Sequence, residues 1–219
     1  ALTFAAENGE VPLTALLIER GAKLEARTRS GLNALMLASQ YNLPEMVDQL
    51  LFKGAAPDTA DKDGKSPLMI AASRGHIEPA RLLLENGANI NRIDKHGKSA
   101  LVHASDHGKS EDMIKLLIKH GARVNKPSSD GATPLIWAAE GGHAKIVRIL
   151  LASGANTDEQ DENGLTALME ATAAGSKDSV KLLLSYGAKK TISNKEGKTA
   201  MDIASQANNK EIQKLLSQR

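Results

Sequence analysis

Apolar residues fall along this chain in short clusters that return at a constant step. Triplets such as Leu82-Leu83-Leu84, Leu116-Leu117-Ile118 and Leu182-Leu183-Leu184 are each followed, three residues on, by a Gly-Ala pair. These pairs stand at Gly21, Gly54, Gly87, Gly121, Gly154 and Gly187, at intervals of 33, 33, 34, 33 and 33 residues. A glycine directly after an apolar helical run fits a helix end that needs a left-handed residue. A second glycine series, Gly31, Gly64, Gly97, Gly131, Gly164 and Gly197, keeps the same step. In three repeats it follows Asp63, Asp130 or Asn163, a tight-turn signal. Two residues later stands a capping side chain: Asn33, Ser66, Ser99, Thr133, Thr166 or Thr199. Pro or Ala comes next, then Leu or Met, which together read as a helix start. The pattern predicts a unit of turn, short helix, glycine-containing break, longer helix and glycine stop. Small pairs such as Ala71-Ala72 and Ala138-Ala139 let neighbouring short helices approach closely. One unit cannot bury its own apolar face, whereas a stack buries a continuous core.

Ser66-Pro67-Leu68-Met69-Ile70-Ala71-Ala72 and Thr133-Pro134-Leu135-Ile136-Trp137-Ala138-Ala139 resemble the signature of the ankyrin repeat family, and Gly75-His76 and Gly142-His143 match its interhelix pair. The resemblance covers essentially the whole chain and implies an all-α solenoid of about seven helix-turn-helix units with projecting turn tips. We expect a single domain over 1–219: a partial repeat at 1–29, full repeats at 30–62, 63–95, 96–129, 130–162 and 163–195, and a polar C-terminal cap at 196–219. Two departures stand out. The family's signature His is replaced by Met36, Met69, Val102, Ile136, Met169 and Asp202, so the polar network it makes between turns is absent and apolar packing is expected instead. The repeat at 96–129 carries one extra residue, expected near Lys109–Asp112.

Composition changes this picture little. The net charge of +2 and the 25% of charged residues give no electrostatic reason to expect nucleic acid, and the 2% of aromatics provide no stacking platform. The few aromatics require a core of Ala, Leu, Ile and Val. With no cysteine, disulfides and thiolate metal sites are excluded, and the compartment stays unread; cytoplasmic is the default, with periplasmic or secreted settings open. No apolar stretch approaches the roughly 20 residues of a membrane span. The start at Ala1, without a capping residue before the first helix, leads us to expect further sequence upstream.

The resemblance implies a protein partner bound by turn tips and by the concave face of the short helices. By register, the tips include Lys62, Lys65, Lys95, Lys98 and Glu162, and the groove includes Gln40, Tyr41, Ser73, Arg74, Asp106, His107 and Glu140. A further column, Leu37, Ile70, His103, Trp137, Glu170 and Ile203, is expected to be partly exposed, because His and Glu are rarely buried unpaired. Tyr41, Arg74 and Trp137 are the expected anchors, being of the residue types most often found as interface hot spots; Trp137 could equally fill space between short helices. The tips run from basic (Lys62, Lys65, Lys95, Lys98) to acidic (Asp158, Glu159, Asp161, Glu162), a polarity that would orient a partner of mixed charge. If the lysines are only a solvated face, that polarity selects nothing.

Other chemistries fit less well. His103 and His107 are four apart on a predicted helix, a spacing able to hold a metal, but a third ligand is missing. Glu159 to Glu170 superficially resembles a calcium loop, yet Asp161 and Gly164 recur as Asp61 and Gly64 by repeat register alone. Ser105-Asp106-His107 are consecutive on one helix and point apart, so they make no triad, and no phosphate loop or nucleophile elbow occurs. The expectation is a monomeric, cofactor-free recognition module, not an enzyme. The alternative is a targeting domain of a larger enzyme or secreted effector whose catalytic part lies elsewhere.

Overall fold

The structure, a computed structural model, describes residues 1–218; the last residue of the expected cap, Arg219, lies outside them. Each repeat yields one helix pair. The short helices are α1 (Leu2–Glu7), α3 (Ala34–Gln40), α5 (Pro67–Arg74), α7 (Ala100–His107), α9 (Pro134–Glu140), α11 (Ala167–Ala173) and α13 (Ala200–Gln206). Their partners are α2 (Val11–Glu19), α4 (Pro44–Phe52), α6 (Ile77–Glu85), α8 (Glu111–Lys119), α10 (Ala144–Ala152), α12 (Lys177–Ser185) and α14 (Lys210–Ser217). Each helix packs on its hairpin partner and on the equivalent helix of the neighbouring pairs, so short helices form one layer and longer helices a second. Among the described residues no strand forms, and one isolated bridge joins Ile93 to Ser99.

Helices this short are unstable alone; caps start them and packing holds them. Asn33, Ser66, Ser99, Thr133, Thr166 and Thr199 each accept a hydrogen bond from the backbone N–H three residues on, as their spacing predicts. The donors belong to the positions where the family carries its signature His. Met36, Met69, Val102, Ile136 and Met169 are at most 1% exposed there, so apolar packing does occupy those places. Buried Leu35, Leu68, Leu101, Leu135 and Leu168 lie beside them. At the centres of the short helices Ala38, Ala71, Ala104, Ala138 and Ala171 are buried, with no side chain beyond Cβ to hold the helices apart.

Turns are tied to turns through the backbone. Lys95 N–H donates to Asp63 O (2.9 Å), Ser129 to His96 (2.9 Å), Glu162 to Asp130 (2.8 Å) and Lys195 to Asn163 (3.0 Å). This backbone ladder joins the turns in addition to the apolar packing at the signature positions. It also explains one glycine: Gly97 has φ +70°, and a Cβ there would stand 2.6 Å from Ser129 N. The extra residue of the repeat at 96–129 falls in the α7–α8 turn, Gly108–Ser110.

Candidate functional site

Because each short helix repeats the last at a step of about one period, equivalent residues line up in columns across the stack. The first column is Tyr41, 44% exposed at the end of α3, then Arg74 and His107, the exposed last residues of α5 and α7. The next column runs Gln40, Ser73, Asp106 and Glu140. All four retain solvent access. Between these helices and the tips lie two shallow clefts, one of about 270 Å³ that includes Gln40, Lys65 and Arg74, and one of about 340 Å³ that includes Lys65, Lys98, Asp106 and His107.

The third column meets the expectation of partial exposure at three positions and departs from it at three. Leu37, Ile70 and His103 are buried at 3%, 8% and 4% exposure; Trp137, Glu170 and Ile203 are half-buried. At His103 the expectation is corrected: a histidine is rarely buried unpaired, and this one is buried but paired. Its Nε2 donates to Asp94 Oδ2 at 2.8 Å. Asp94 is itself 6% exposed, and its Oδ1 accepts the N–H groups of His96 and Lys98, each at 2.9 Å. Burial pushes the His103 pKa down, outweighing the pull of Asp94, which keeps the ring a neutral donor. His103 fastens a turn and offers almost no surface.

Asp94 was the residue that sequence reasoning passed over, though a signal for it exists. Asp61, Asp94, Ser128, Asp161 and Asn194 stand three residues before the tip glycines, in one column. Asp61, Asp161 and Asn194 accept two backbone N–H groups each, as Asp94 does. That is the work of Asp161 in the segment resembling a calcium loop.

Trp137 sits where tip and helix meet. Its Nε1 donates to Ser128 Oγ at 3.0 Å, and the ammonium of Lys98 stands 3.4 Å from the ring centroid. Lys98 also pairs with Asp106 at 3.0 Å, so this tip lysine is engaged within the protein, whereas Lys62 and Lys95 are exposed and Lys65 is half-buried. Around the tryptophan the groove is acidic. Burial raises the Glu140 pKa, with Asp106 adding to it and Lys98 opposing. Glu170, half-buried, is pushed up to about 7 by burial first, then by Glu140 and Asp161. The native protein therefore binds this proton more tightly than the unfolded chain, whose glutamate titrates near 4.5. Stability contributed by protonated Glu170 is present at low pH and is lost as pH rises between about 4.5 and 7. Glu170 is partly solvated, so screening brings the effect to about 1 kcal/mol. Glu170→Gln is expected to raise stability by that amount at pH 8 and to change nothing at pH 4, read from urea midpoints.

His103 and His107 do not converge. Their ring centroids are 6.5 Å apart, and His107 Nδ1 donates to His103 O at 3.1 Å. No cluster of three or more His, Cys, Asp or Glu residues able to hold a metal occurs among the described residues. Ser105 is fully buried and its Oγ meets no partner, Asp106 is held by Lys98, and His107 faces solvent: three consecutive residues with three separate environments. No described helix is long and apolar enough to cross a membrane.

Comparison with known proteins bears on the whole length. A family profile of ankyrin repeats in groups of three copies matches residues 1–61, 35–128, 96–161, 124–194 and 155–219. No curated protein sequence matches significantly. Among solved structures, the chain is similar to the ankyrin repeat domain of Bcl-3, described as a unique member of the IkappaB protein family. The TM-score is 0.83 at 26% identity, covering 99% of this chain and 97% of that one.

Proposed function

The chain belongs to the ankyrin repeat family, whose members are generally protein–protein interaction modules, and on that premise we propose that it recognises a protein partner along the groove between its short helices and turn tips. The observation that carries this reading is the alignment of exposed, chemically varied side chains in columns over an invariant alanine-rich frame. Tyr41, Arg74 and His107 form one such column and Glu140 ends the next, with Trp137 at its side. A rigid frame presents these groups at little entropic cost on binding. Function then resides in surface positions, since the frame itself is shared by proteins of many roles.

The groove also has electrical polarity. Lys62, Lys65, Arg74 and Lys95 stand toward one end, and Asp130, Glu140, Asp161, Glu162 and Glu170 toward the other. A partner segment of opposite polarity would be oriented by it. In this reading the domain spans 1–219, works as a monomer, takes no nucleic acid and performs no catalysis. His103, enclosed against Asp94, supports the groove from beneath and leaves the contact set.

The test is capture of a partner from source-cell lysate by the parent chain and by a Tyr41→Ala/Arg74→Ala/Trp137→Ala variant. The variant is expected to bind about tenfold more weakly, a modest loss for three anchors. Undiminished binding would move the interface to the turn tips or the convex face and overturn the groove proposal.

A further inference from the structure

The interhelix turns are built alike, with one exception. In six of them a backbone N–H closes the turn onto the carbonyl five residues earlier: Glu10 onto Ala5, Leu43 onto Ala38, His76 onto Ala71, His143 onto Ala138, Ser176 onto Ala171 and Asn209 onto Ala204. The α7–α8 turn lacks this bond. Gly108 N–H donates to Ala104 O at 3.1 Å, and the N–H groups of Lys109 and Ser110 meet no protein acceptor among the described residues. The extra residue of the 34-residue interval is what breaks the closure.

The same insertion builds a cleft. A Cβ on Gly75 would stand 3.1 Å from both Lys109 Cβ and Ser110 Cβ, so the inserted turn lies directly against the end of α5. Beside it opens a space of about 400 Å³ lined by Ser73, Arg74, His76, His107 and Lys109. No carboxylate lines it. His76 and His107 each turn Nδ1 to a carbonyl, of Ser39 (3.0 Å) and His103 (3.1 Å), leaving Nε2 without a protein partner. The carboxylate beside His107, Asp106, lies 3.9 Å from its Nδ1 and is held by Lys98 at 3.0 Å. Arg74 and Lys109 are exposed, and both line this cleft.

We propose that this cleft receives a phosphate carried by a serine or threonine of the partner segment, an inference that rests on the groove-binding reading above. Two cations on the lining with no acid among them call for a dianion. An arginine fork and an ammonium on the cleft lining supply more donors than the two oxygens of a carboxylate use, and a phosphate ester brings three oxygens and a charge near −2. In repeat proteins, insertions map to loops on one face, often the binding face.

The full chain, labelled with ¹⁵N, is titrated with inorganic phosphate while amide and histidine-ring resonances are followed. Saturable shifts are expected at the Lys109 and Ser110 amides and the His107 ring, with binding about tenfold weaker in an Arg74→Ala/Lys109→Ala variant. Both substitutions are at exposed positions, so folding is checked simply by an unchanged melting temperature. Non-saturating shifts, or equal affinity in the variant, would overturn the site. An array of phosphoserine and phosphothreonine peptides with their unphosphorylated copies decides the source. Retention that needs both the phosphate and the two cations supports a protein-borne ester. Retention indifferent to phosphate, or binding of free phosphate alone, refutes it. A Tyr41→Ala/Trp137→Ala variant separates the two readings. If it loses partner capture while the Arg74/Lys109 variant keeps it in full, the groove reading stands and the phosphate cleft fails.

Discussion

Leu117→Ala lowers the unfolding free energy by about 3 kcal/mol, the size expected for truncating a fully enclosed leucine that its surroundings cannot collapse around. Leu117 has no exposed surface and lies in α8, which is packed between α6 and α10. The loss combines the transfer free energy of the removed atoms with the dispersion contacts forfeited by the cavity lining. Its position in the middle of the stack gives a second consequence. A solenoid's stability is close to a sum of repeat and nearest-neighbour terms, so a weakened central unit uncouples the two flanks. Urea unfolding followed by far-ultraviolet circular dichroism should broaden, and Trp137 fluorescence, reporting on the next helix pair, should cease to coincide with it. Leu16 in α2, 46% exposed, is the control: alanine there should cost under about 0.5 kcal/mol. A Leu117→Ala cost below about 1 kcal/mol would mean that the α8 interface is not close-packed.

Asp94→Ala costs about 2 kcal/mol, because it strips the acceptor from three donors at once: the N–H groups of His96 and Lys98 and the enclosed ring of His103. Two backbone donors can be rescued by water, but the imidazole, 4% exposed, cannot. Asp61→Ala, which removes the acceptor from Asp63 and Lys65 only, should cost about 1 kcal/mol, and the difference isolates the imidazole. Equal midpoints for the two variants would show that the His103 bond contributes nothing. pH gives an independent reading. Burial lowers the His103 pKa, so the native ring resists a proton that the unfolded chain accepts below about 6.5. Stability from the neutral ring is present above that value and falls as pH descends toward the folded pKa. In the parent chain this decline should be visible by urea midpoint, and replacing His103 by Gln should flatten it.

The architecture was legible in the sequence because it is written in local, repeated chemistry. A glycine such as Gly97 is required by a positive φ, a serine such as Ser66 by a helix end, and an alanine such as Ala71 by the spacing between helices. Each constraint acts within a few residues and recurs at one step, so pattern alone identifies it. The exposure of a side chain is another matter. His103, Trp137 and Glu170 occupy the same register position, yet one is enclosed by Asp94, one is held by Ser128 beneath Lys98, and one is left among like charges. Register specifies which way a residue points; only the neighbouring repeat's side chains decide what it meets. The insertion shows the same division. Counting glycines placed an extra residue near Lys109, but its effect depends on the end of α5, a full repeat away in sequence. Opening the α7–α8 turn frees two backbone donors and brings Lys109 beside Arg74 and His107, because hydrogen-bond closure and charge proximity are settled across helices and not along them.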